Sequence, residues 1–364
     1  MMITFVGGGS LGPVTPLLAV AEALRRLDRS AQVTWIGTPD GPERLVVEAA
    51  GIPFHFLPVV KWPRYPSWRW LTFPFDWIRV RHLASELLTR LKSEVVVSAG
   101  GFTAAPVFIE AAKQGVPCVA HQLDLKPALT NRRIARLCDS VTTSFEYERP
   151  PFGEWVSDER IPTPVRFHAS DLPTRAAAAK HFGLDPKQPI ILIFGGGTGS
   201  QPLNQHVQRT KKRWLAFTQV LHLTGKGKDK GFAPEKGYIV RDLLVDEMVQ
   251  AYAAADLVIS RAGFATLSEM TAGLSIPNIV VPLPGTEQEA NAKAFEEQGG
   301  SVVVQQSHPR FDEELLATAE LLLHDEEGRR KMGDKAHAFL PTDDGTTLAK
   351  RILKIVKARA KNSA

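Results

Sequence analysis

One combination occurs twice in this chain: an apolar run that ends in three glycines and leads into a helical pattern. The runs are ITFVGGG at residues 3–9 and PIILIFGGG at residues 189–197. Short apolar runs that alternate with amphipathic stretches are typical of parallel strands joined by helices. The length of 364 residues exceeds the roughly 250–300 residues at which a single core stops growing. We therefore predict an α/β protein with two Rossmann-like, doubly wound parallel-sheet domains that face a cleft.

The alternation also predicts where the domains begin and end. In the first half it predicts a strand at PFHFLPV, an irregular Pro- and Trp-rich stretch and then a helix over residues 78–91. Residues 148–166 contain four prolines and predict a linker. We expect a domain at residues 1–163, a second at 164–340, and a C-terminal helix within 341–364 that packs back on the first.

Composition excludes several classes of protein. No apolar run reaches the roughly 20 residues of a membrane span, and MMITFVGGG lacks the charged start of a signal peptide. Cys118 and Cys138 are too far apart for a CxxC motif, which predicts a disulfide-free cytoplasmic protein. The net charge of +5 favours acidic partners: phosphates, anionic lipid or nucleic acid.

Residues 251–291 contain two apolar runs, LVIS and IPNIVVP, that each end in a polar loop. Open α/β sheets bind ligands at the carboxyl ends of their strands. We therefore expect this stretch to hold the hydroxyls of a ribose and a sugar. The candidate residues are Arg261, Gly263, Thr266, Ser268, Glu269, Gln288 and Asn291.

The two glycine loops predict anion binding, because backbone N–H groups at a helix N-terminus attract negative charge. Gly7, Gly9 and Gly12 match GxGxxG, but a dinucleotide site also needs an acid at the end of the second strand. That strand ends at Thr38 with no acid before Asp40, which disfavours a nicotinamide or flavin. Tight strand-to-helix packing would explain one glycine loop equally well. The presence of two such loops, together with the further glycine turn HLTGK at 222–226, favours phosphate binding over packing alone.

Together these residues resemble the UDP-N-acetylglucosamine transferases of peptidoglycan synthesis, the MurG-like glycosyltransferases of GT-B fold. The matching segments run in family order along nearly the whole chain: GGSLGPVTPLLAVAEAL, GGFTAAP, HQLDLKPALTNR, TPVR, GGGTGSQPLN, HLTGK, AYAAAD, LVISRAG, TLSEM and Gln288 with Asn291-Ala292. The resemblance implies that Glu269 holds the ribose, Val245 meets uracil, and Gln288 and Asn291 contact the donor sugar. It further implies donor-side roles for Arg166, Gly197, Thr198, Gly199, Ser200 and Lys226, and acceptor-side roles for Gly8, Gly9, Ser10, Gly12, Gly101, Phe102 and Asn131.

The chain departs from the family mainly in its first half. The family's N-terminal loop ends in a His where this chain has Pro13, and the family Tyr after the glycine pair is Phe102. The family HEQN is His121-Gln122-Leu123-Asp124. In the second half, the family's glycine loop has Ser and Gln at the positions where this chain has Gly197 and Thr198. The family also has two consecutive Gln residues where this chain has Glu287-Gln288.

A sugar transfer needs a base beside the acceptor hydroxyl, and Asp124 and His121 are the candidates. Asp124 follows a predicted strand end, although an Asp there equally suits a helix cap. His121 titrates near neutral pH, but a His at a strand end is more often structural. The sequence has no DxD motif and no His/Asp cluster with metal spacing. We therefore expect an inverting, metal-independent reaction without a cofactor.

Residues 61–81 contain four of the seven tryptophans, interleaved with basic residues. These aromatics suit either the core or an anionic membrane surface, and the prolines among them favour an exposed loop and the membrane. Mixtures of this kind also bind single-stranded nucleic acid, a partner that we do not expect. The predicted membrane residues are Trp62, Trp68, Arg69, Trp70 and Trp77.

We expect a peripheral enzyme at the cytoplasmic face of the membrane. It would transfer a sugar, N-acetylglucosamine by resemblance, from a UDP-sugar to a polyprenyl-diphosphate-linked acceptor. A nucleotide-sugar 2-epimerase and a non-catalytic nucleotide-sugar-binding homologue remain as alternatives.

Overall fold

The computed structural model describes residues 1–59, 69–245 and 247–363. The chain divides into two compact units: Met1–Arg166 with Asp343–Ala364, and Phe167–Thr342. The predicted boundaries at residues 163 and 340 lie three and two residues from these. Each unit has a parallel sheet with helices, so the predicted fold class is confirmed.

The first unit is built on a seven-stranded parallel sheet in the order β3-β2-β1-β4-β5-β6-β7. Strands β4 and β5 are fully buried, as continuous apolar runs predict for a sheet covered on both faces. The strands are β1 Met2–Val6, β2 Gln32–Gly37, β3 Phe54–Phe56, β4 Val95–Ser98, β5 Cys118–Gln122, β6 Ser140–Thr143 and β7 Asp158–Arg160. The helices are α1 Thr15–Leu27, α2 Glu43–Ala49, α3 Arg69–Leu91, α4 Ala104–Lys113 and α5 Leu129–Ile134, continued by a 3₁₀ turn at Ala135–Leu137.

Two local predictions in this unit are wrong. Residues 69–77 are helical rather than irregular, and Pro74 lies inside α3. The rings of Phe73 and Trp77, one helical turn apart, stack at 5.9 Å, and Phe73 is buried. The segment 148–166 is not only a linker, because Asp158–Arg160 pairs with β6 as the seventh strand. In both places packing outweighs the local signal of the prolines.

The second unit has a six-stranded parallel sheet in the order β11-β10-β9-β12-β13-β14. Its core includes the fully buried rings of Trp214 and Tyr238. The strands are β9 Ile190–Phe194, β10 Gln219–Leu223, β11 Tyr238–Arg241, β12 Leu257–Ser260, β13 Asn278–Val280 and β14 Val302–Val303. A separate two-stranded sheet pairs β8 Thr163–Pro164, of the first unit, with β15 Thr342–Asp343. The helices are α6 Arg175–His181, α7 Gln201–Trp214, α8 Met248–Ala254, α9 Phe264–Leu267, α10 Glu287–Glu297, α11 Phe311–His324 and α12 Glu326–Phe339, with a 3₁₀ turn at Ala169–Asp171 and a π-helix at Ser268–Gly273.

The C-terminal helix, α13 Thr346–Ser363, belongs to the first unit and packs against α1. Arg351 donates to Ser140 Oγ at 3.1 Å and forms an ion pair with Glu159. Arg26, at the end of α1, pairs with Asp344 at 2.5 Å. The end of the chain is therefore anchored to the sheet with which the chain begins.

Candidate active site

Both sheets have a topological switch point beside their first strand. In the first unit β1 lies between β2 and β4, and in the second β9 lies between β10 and β12. Loops that leave the two sides of such a point diverge and open a crevice at the carboxyl ends of the strands. Gly7–Gly12 and Gly100–Thr103 flank the first switch point, while 195–200 and 261–263 flank the second.

Strand register brings the predicted donor residues of the second unit to one edge of its sheet. Phe194 at the end of β9 is level with Leu223 of β10 and Ser260 of β12. Arg241 and Val280 continue the same row on β11 and β13. The loops that follow these five residues, together with the helices they lead into, carry every predicted donor residue except Arg166, which closes the first part of the first unit.

The second glycine loop is packed tightly against the turn at Thr224–Lys226. A Cβ at Gly199 would lie 2.0 Å from the Thr224 carbonyl oxygen, and one at Gly225 would lie 2.4 Å from Gly199 Cα. Both glycines have positive φ, at +70° and +96°, which favours glycine at these positions. Ser200 caps α7 by accepting from the Leu203 amide, while Thr198 and Lys226 are exposed. The loop therefore presents backbone, a hydroxyl and an ammonium group at a helix N-terminus.

A buried hydrogen-bonded chain supports this loop from below. Asn204 of α7 donates to the Thr224 carbonyl at 2.9 Å, and its Oδ1 lies 3.1 Å from His222 Nε2. His222 Nδ1 lies 2.9 Å from the Tyr238 hydroxyl. Burial lowers the pKa of His222 to about 4, with a smaller effect from His206. His222 is therefore neutral at physiological pH and fixes the loop without contributing charge.

The candidate ribose and sugar residues lie around the π-helix. Glu269 is buried in its first turn, and π turns are frequent at functional sites. Asn291 of α10 is fully buried and donates to the Ala262 carbonyl at 3.3 Å, which ties α10 to the loop after β12. Half-buried Gln288 accepts from the Leu283 amide at 3.0 Å. Gly263 starts α9, and Thr266 within it is half-buried.

Two predicted donor residues make internal contacts instead. Arg261 is buried and donates to the carbonyls of Val281 and Pro282 at 2.9 and 3.1 Å, and to Gln306 Oε1 at 2.7 Å. Burial lowers its pKa to about 10. The hydroxyl of fully buried Ser268 donates to the Ala265 carbonyl at 3.0 Å. These side chains hold the ends of β12 and β13 and the turn of α9, so a supporting role fits them better than donor contact.

In the first unit a residue not identified from sequence organises the glycine loop. Glu43 begins α2 and is fully buried. Its carboxylate accepts from the Gly9 amide at 3.2 Å, from the Thr38 amide at 2.8 Å and from the Thr38 hydroxyl. The sequence contains one clue to this role: Glu43 follows the second strand, in the region where a dinucleotide site would carry an acid. Here that acid turns inward onto the protein's own amides.

The remaining acceptor-side candidates gather against the same loop. A Cβ at Gly9, whose φ is +83°, would lie 2.4 Å from Phe102 Cε1, and a Cβ at Gly101 would lie 3.2 Å from the Gly8 carbonyl. Asn131 of α5 is buried, and its Nδ2 donates to Gln122 Oε1 at 2.7 Å. Its Oδ1 is buried with no hydrogen-bond partner in the part of the chain that the structure describes. Ser10 is exposed, and Gly12 is half-buried.

The two candidate bases have different surroundings. Asp124 is half-buried in the loop after β5, and its carbonyl accepts from Gln122 Nε2 at 2.7 Å and from the Tyr147 hydroxyl at 3.2 Å. It does not cap α5, whose N-cap is Ala128 without a side-chain cap. His121 is fully buried, with Nδ1 2.9 Å from Thr142 Oγ1 and Nε2 3.3 Å from Ser144 Oγ. Burial lowers its pKa to about 3, so the surroundings favour Asp124 as the base.

Of the predicted membrane residues, Trp62 and Trp68 lie outside the described residues. Arg69 and Trp70 are the first two residues of α3, and half-buried Trp77 stacks on Phe73. Two other apolar residues of α3 are exposed, Phe75 to 76% and Ile78 to 66%. Among the described residues no helix is both long and apolar enough to span a membrane. Nor do any three His, Cys, Asp or Glu side chains within residues 1–59, 69–245 and 247–363 form a group that could hold a metal ion.

Comparison with known proteins identifies the family. The glycosyltransferase family 28 N-terminal domain matches residues 3–143, and the family 28 C-terminal domain matches residues 190–354. A UDP-N-acetylglucosamine--N-acetylmuramyl-(pentapeptide) pyrophosphoryl-undecaprenol N-acetylglucosamine transferase from a Nocardioides species is 36% identical, and the match covers 98% of each chain. The crystal structure of MurG from Acinetobacter baumannii is 25% identical with a TM-score of 0.68, covering 97% of this chain and 99% of that one.

The same architecture occurs in UDP-GlcNAc 2-epimerase from Neisseria meningitidis. That structure, solved with UDP-GlcNAc bound, has a TM-score of 0.66 and covers 98% of this chain and 100% of its own, but it is only 13% identical. It therefore shares the fold alone, whereas the matches to family 28 extend to sequence along nearly the whole length. This chain belongs to glycosyltransferase family 28 and is a MurG-like glycosyltransferase.

Proposed function

We propose that this enzyme transfers N-acetylglucosamine from UDP-N-acetylglucosamine to a polyprenyl-diphosphate-linked sugar acceptor, with inversion and without a metal ion. The observation that carries the proposal is the row of strand ends Phe194, Leu223, Arg241, Ser260 and Val280, from which the donor-side loops depart together. The relative from Nocardioides bears the name of this reaction. The carry-over of residue roles by family resemblance, above all for Glu269, supports UDP as the nucleotide.

The chemistry assigned to the site is a single displacement. An acceptor hydroxyl oxygen forms a bond to the anomeric carbon, the bond from that carbon to the diphosphate oxygen breaks, and UDP leaves with the electron pair. Asp124 receives the hydroxyl proton, a step in which a positioned base typically contributes about 10²–10⁴ in rate. Exposed Thr198, Lys226 and the N-terminus of α7 are suited to stabilise the charge that develops on the diphosphate.

We further propose that the enzyme acts as a peripheral protein at the membrane that carries its acceptor. Exposed Phe75 and Ile78 lie on α3 beside exposed Arg79. Apolar side chains with neighbouring cations suit the interface of an anionic bilayer. The prediction that Trp62 and Trp68 extend this surface remains to be tested.

The test is UDP release with and without lipid-linked acceptor. Acceptor-dependent release of UDP is expected, together with a glycosylated lipid product. Interconversion of the UDP-sugar without acceptor would instead identify an epimerase. Binding of UDP-N-acetylglucosamine without turnover in either assay would identify a non-catalytic homologue.

A further inference from the structure

We propose that Glu43 is a positioning residue for the acceptor side of the site. Its buried carboxylate holds the Gly7–Gly9 loop from inside the fold, much as a bound anion would, and so fixes the wall that this loop forms with Gly101 and Phe102. The inference rests on the proposed function, because Gly8, Gly9, Gly101 and Phe102 are the residues to which we assign acceptor contact.

The hydrogen bonds of Glu43 show what holds its charge in the interior. A carboxylate that is removed from water needs donors to replace its hydration. Glu43 Oε1 accepts from the Thr38 amide at 2.8 Å and from the Thr38 hydroxyl, and Oε2 accepts from the Gly9 amide at 3.2 Å. One side chain therefore links the end of β2 to the loop that follows β1.

The glycines around the carboxylate leave room only for their hydrogens. A Cβ at Gly8 would lie 2.4 Å from Glu43 Oε1, and one at Gly41 would lie 1.8 Å from Oε2. On the other side of the loop, a Cβ at Gly101 would lie 3.2 Å from the Gly8 carbonyl oxygen. The Gly7–Gly9 loop is thus enclosed between Glu43 and the turn at Gly100–Gly101. A shift of Glu43 or of that turn would therefore move the loop.

This arrangement changes what the first glycine loop can offer a substrate. The Gly7 amide donates to the Ile36 carbonyl at 3.2 Å, and the Gly9 amide donates to Glu43. Glu43 Oε2 therefore already occupies the position at the Gly9 amide that an oxygen of a bound diphosphate would need. We infer that Gly7–Gly9 supplies shape and orientation to the acceptor, and not an amide cradle for its diphosphate.

The experiment compares Glu43→Gln with Glu110→Gln. Glu110 is the matched control, a buried acid of α4 in the same unit that accepts from Arg81 Nε at 2.6 Å. In Glu43→Gln the side-chain NH₂ group meets an N–H donor, so one contact is lost. We expect the acceptor KM to rise about tenfold with the Kd for UDP-N-acetylglucosamine within about twofold, and Glu110→Gln to change neither constant.

Hydrogen exchange provides a second readout that does not need turnover. Amides in peptides covering residues 7–12 and 100–103 should exchange faster in Glu43→Gln than in the wild type. Their exchange rates should be unchanged in Glu110→Gln. If Glu43→Gln does not fold, Thr38→Val, which removes one donor to the carboxylate, should shift the same measurements less far. Equal changes in the Glu43 and Glu110 variants, or unaltered exchange of the loop, would overturn the inference. A wild type without acceptor-dependent UDP release would instead refute the proposed function, and exchange would still test Glu43.

Discussion

The loop that carries Asp124 is held by hydrogen bonds to the Asp124 backbone carbonyl. Gln122 and Tyr147 donate to its carbonyl, so the position of the carboxylate does not depend on a side-chain cap of α5. In Asp124→Asn we expect kcat to fall by about 10²–10⁴, because the amide cannot take up a proton. The Kd for UDP-N-acetylglucosamine should stay within about twofold, since the predicted donor residues other than Arg166 lie in the second unit.

Steady-state kinetics with donor titrations separate the two constants. Tyr147→Phe is a useful comparison, because it removes only the hydroxyl that donates to the Asp124 carbonyl. It should lower kcat less than the Asn variant does. Near-full turnover by Asp124→Asn with unchanged substrate affinity would exclude the base role.

Sequence identified which side chains cluster at the strand ends but could not say which of their atoms are already bonded. Arg261 and Ser268 follow β12 as predicted, yet both donate to carbonyls of the fold. His121 in β5 is likewise already bonded within the fold, because its buried ring lies within hydrogen-bond distance of Thr142 and Ser144. Glu43 was missed because its importance comes from a contact 34 residues away, with the Gly9 amide.

Helix α3 has one face in the core and another exposed to solvent. Phe73, Val80 and Leu87 are buried, while Phe75 and Ile78 are exposed to 76% and 66%. We expect Phe75→Ser/Ile78→Ser to reduce flotation with vesicles that contain anionic lipid, because apolar area is lost from the interface. Leu321→Ser is the control, since Leu321 is exposed to 72% on α11 of the second unit.

The same flotation experiments show which residues are responsible for binding to the vesicles. Binding that persists in the double variant, or that falls equally in Leu321→Ser, would argue against α3 as the membrane contact. Added salt should weaken binding of the wild type if exposed basic residues such as Arg79 contribute.

Elements with strong periodicity were predictable, and elements that depend on distant packing were not. Both glycine-ended strands and the helices after them follow from local sequence. The early start of α3 and the strand β7 do not, because prolines dominate their local signal while burial of Phe73 and pairing with β6 decide the outcome. The π-helix at Ser268–Gly273 has no single-residue signature at all.

At the scale of the whole molecule, the two units use one device with different internal supports. Each has a glycine loop after the strand at its switch point, and each loop packs against a second glycine turn. In the first unit a carboxylate supports the loop, whereas in the second the neutral chain Asn204–His222–Tyr238 does so. A neutral support suits a loop expected to bind diphosphate, whereas a loop whose Gly9 amide already donates to Glu43 suits a role in shape.

Each unit also contains a buried neutral histidine, which makes both sensitive to acid. Burial lowers the pKa of His121 to about 3 and that of His222 to about 4, below the value of about 6.5 in the unfolded chain. Below pH 6.5 the unfolded chain binds a proton that the folded unit does not, so stability falls as pH falls. Between pH 7.5 and 5.5 each histidine should cost its unit about 1.4 kcal/mol.

Thermal melts across this pH range test the effect, with each unit expected to lose about 3–5 °C in Tm. Burial also lowers the pKa of His206 in the second unit and of His55 in the first, which adds to the loss in each. His222→Gln should flatten the pH dependence of the second unit and leave that of the first unit unchanged. Melting temperatures that do not change between pH 7.5 and 5.5 would show that these rings accept protons in the folded protein, against the burial that surrounds them.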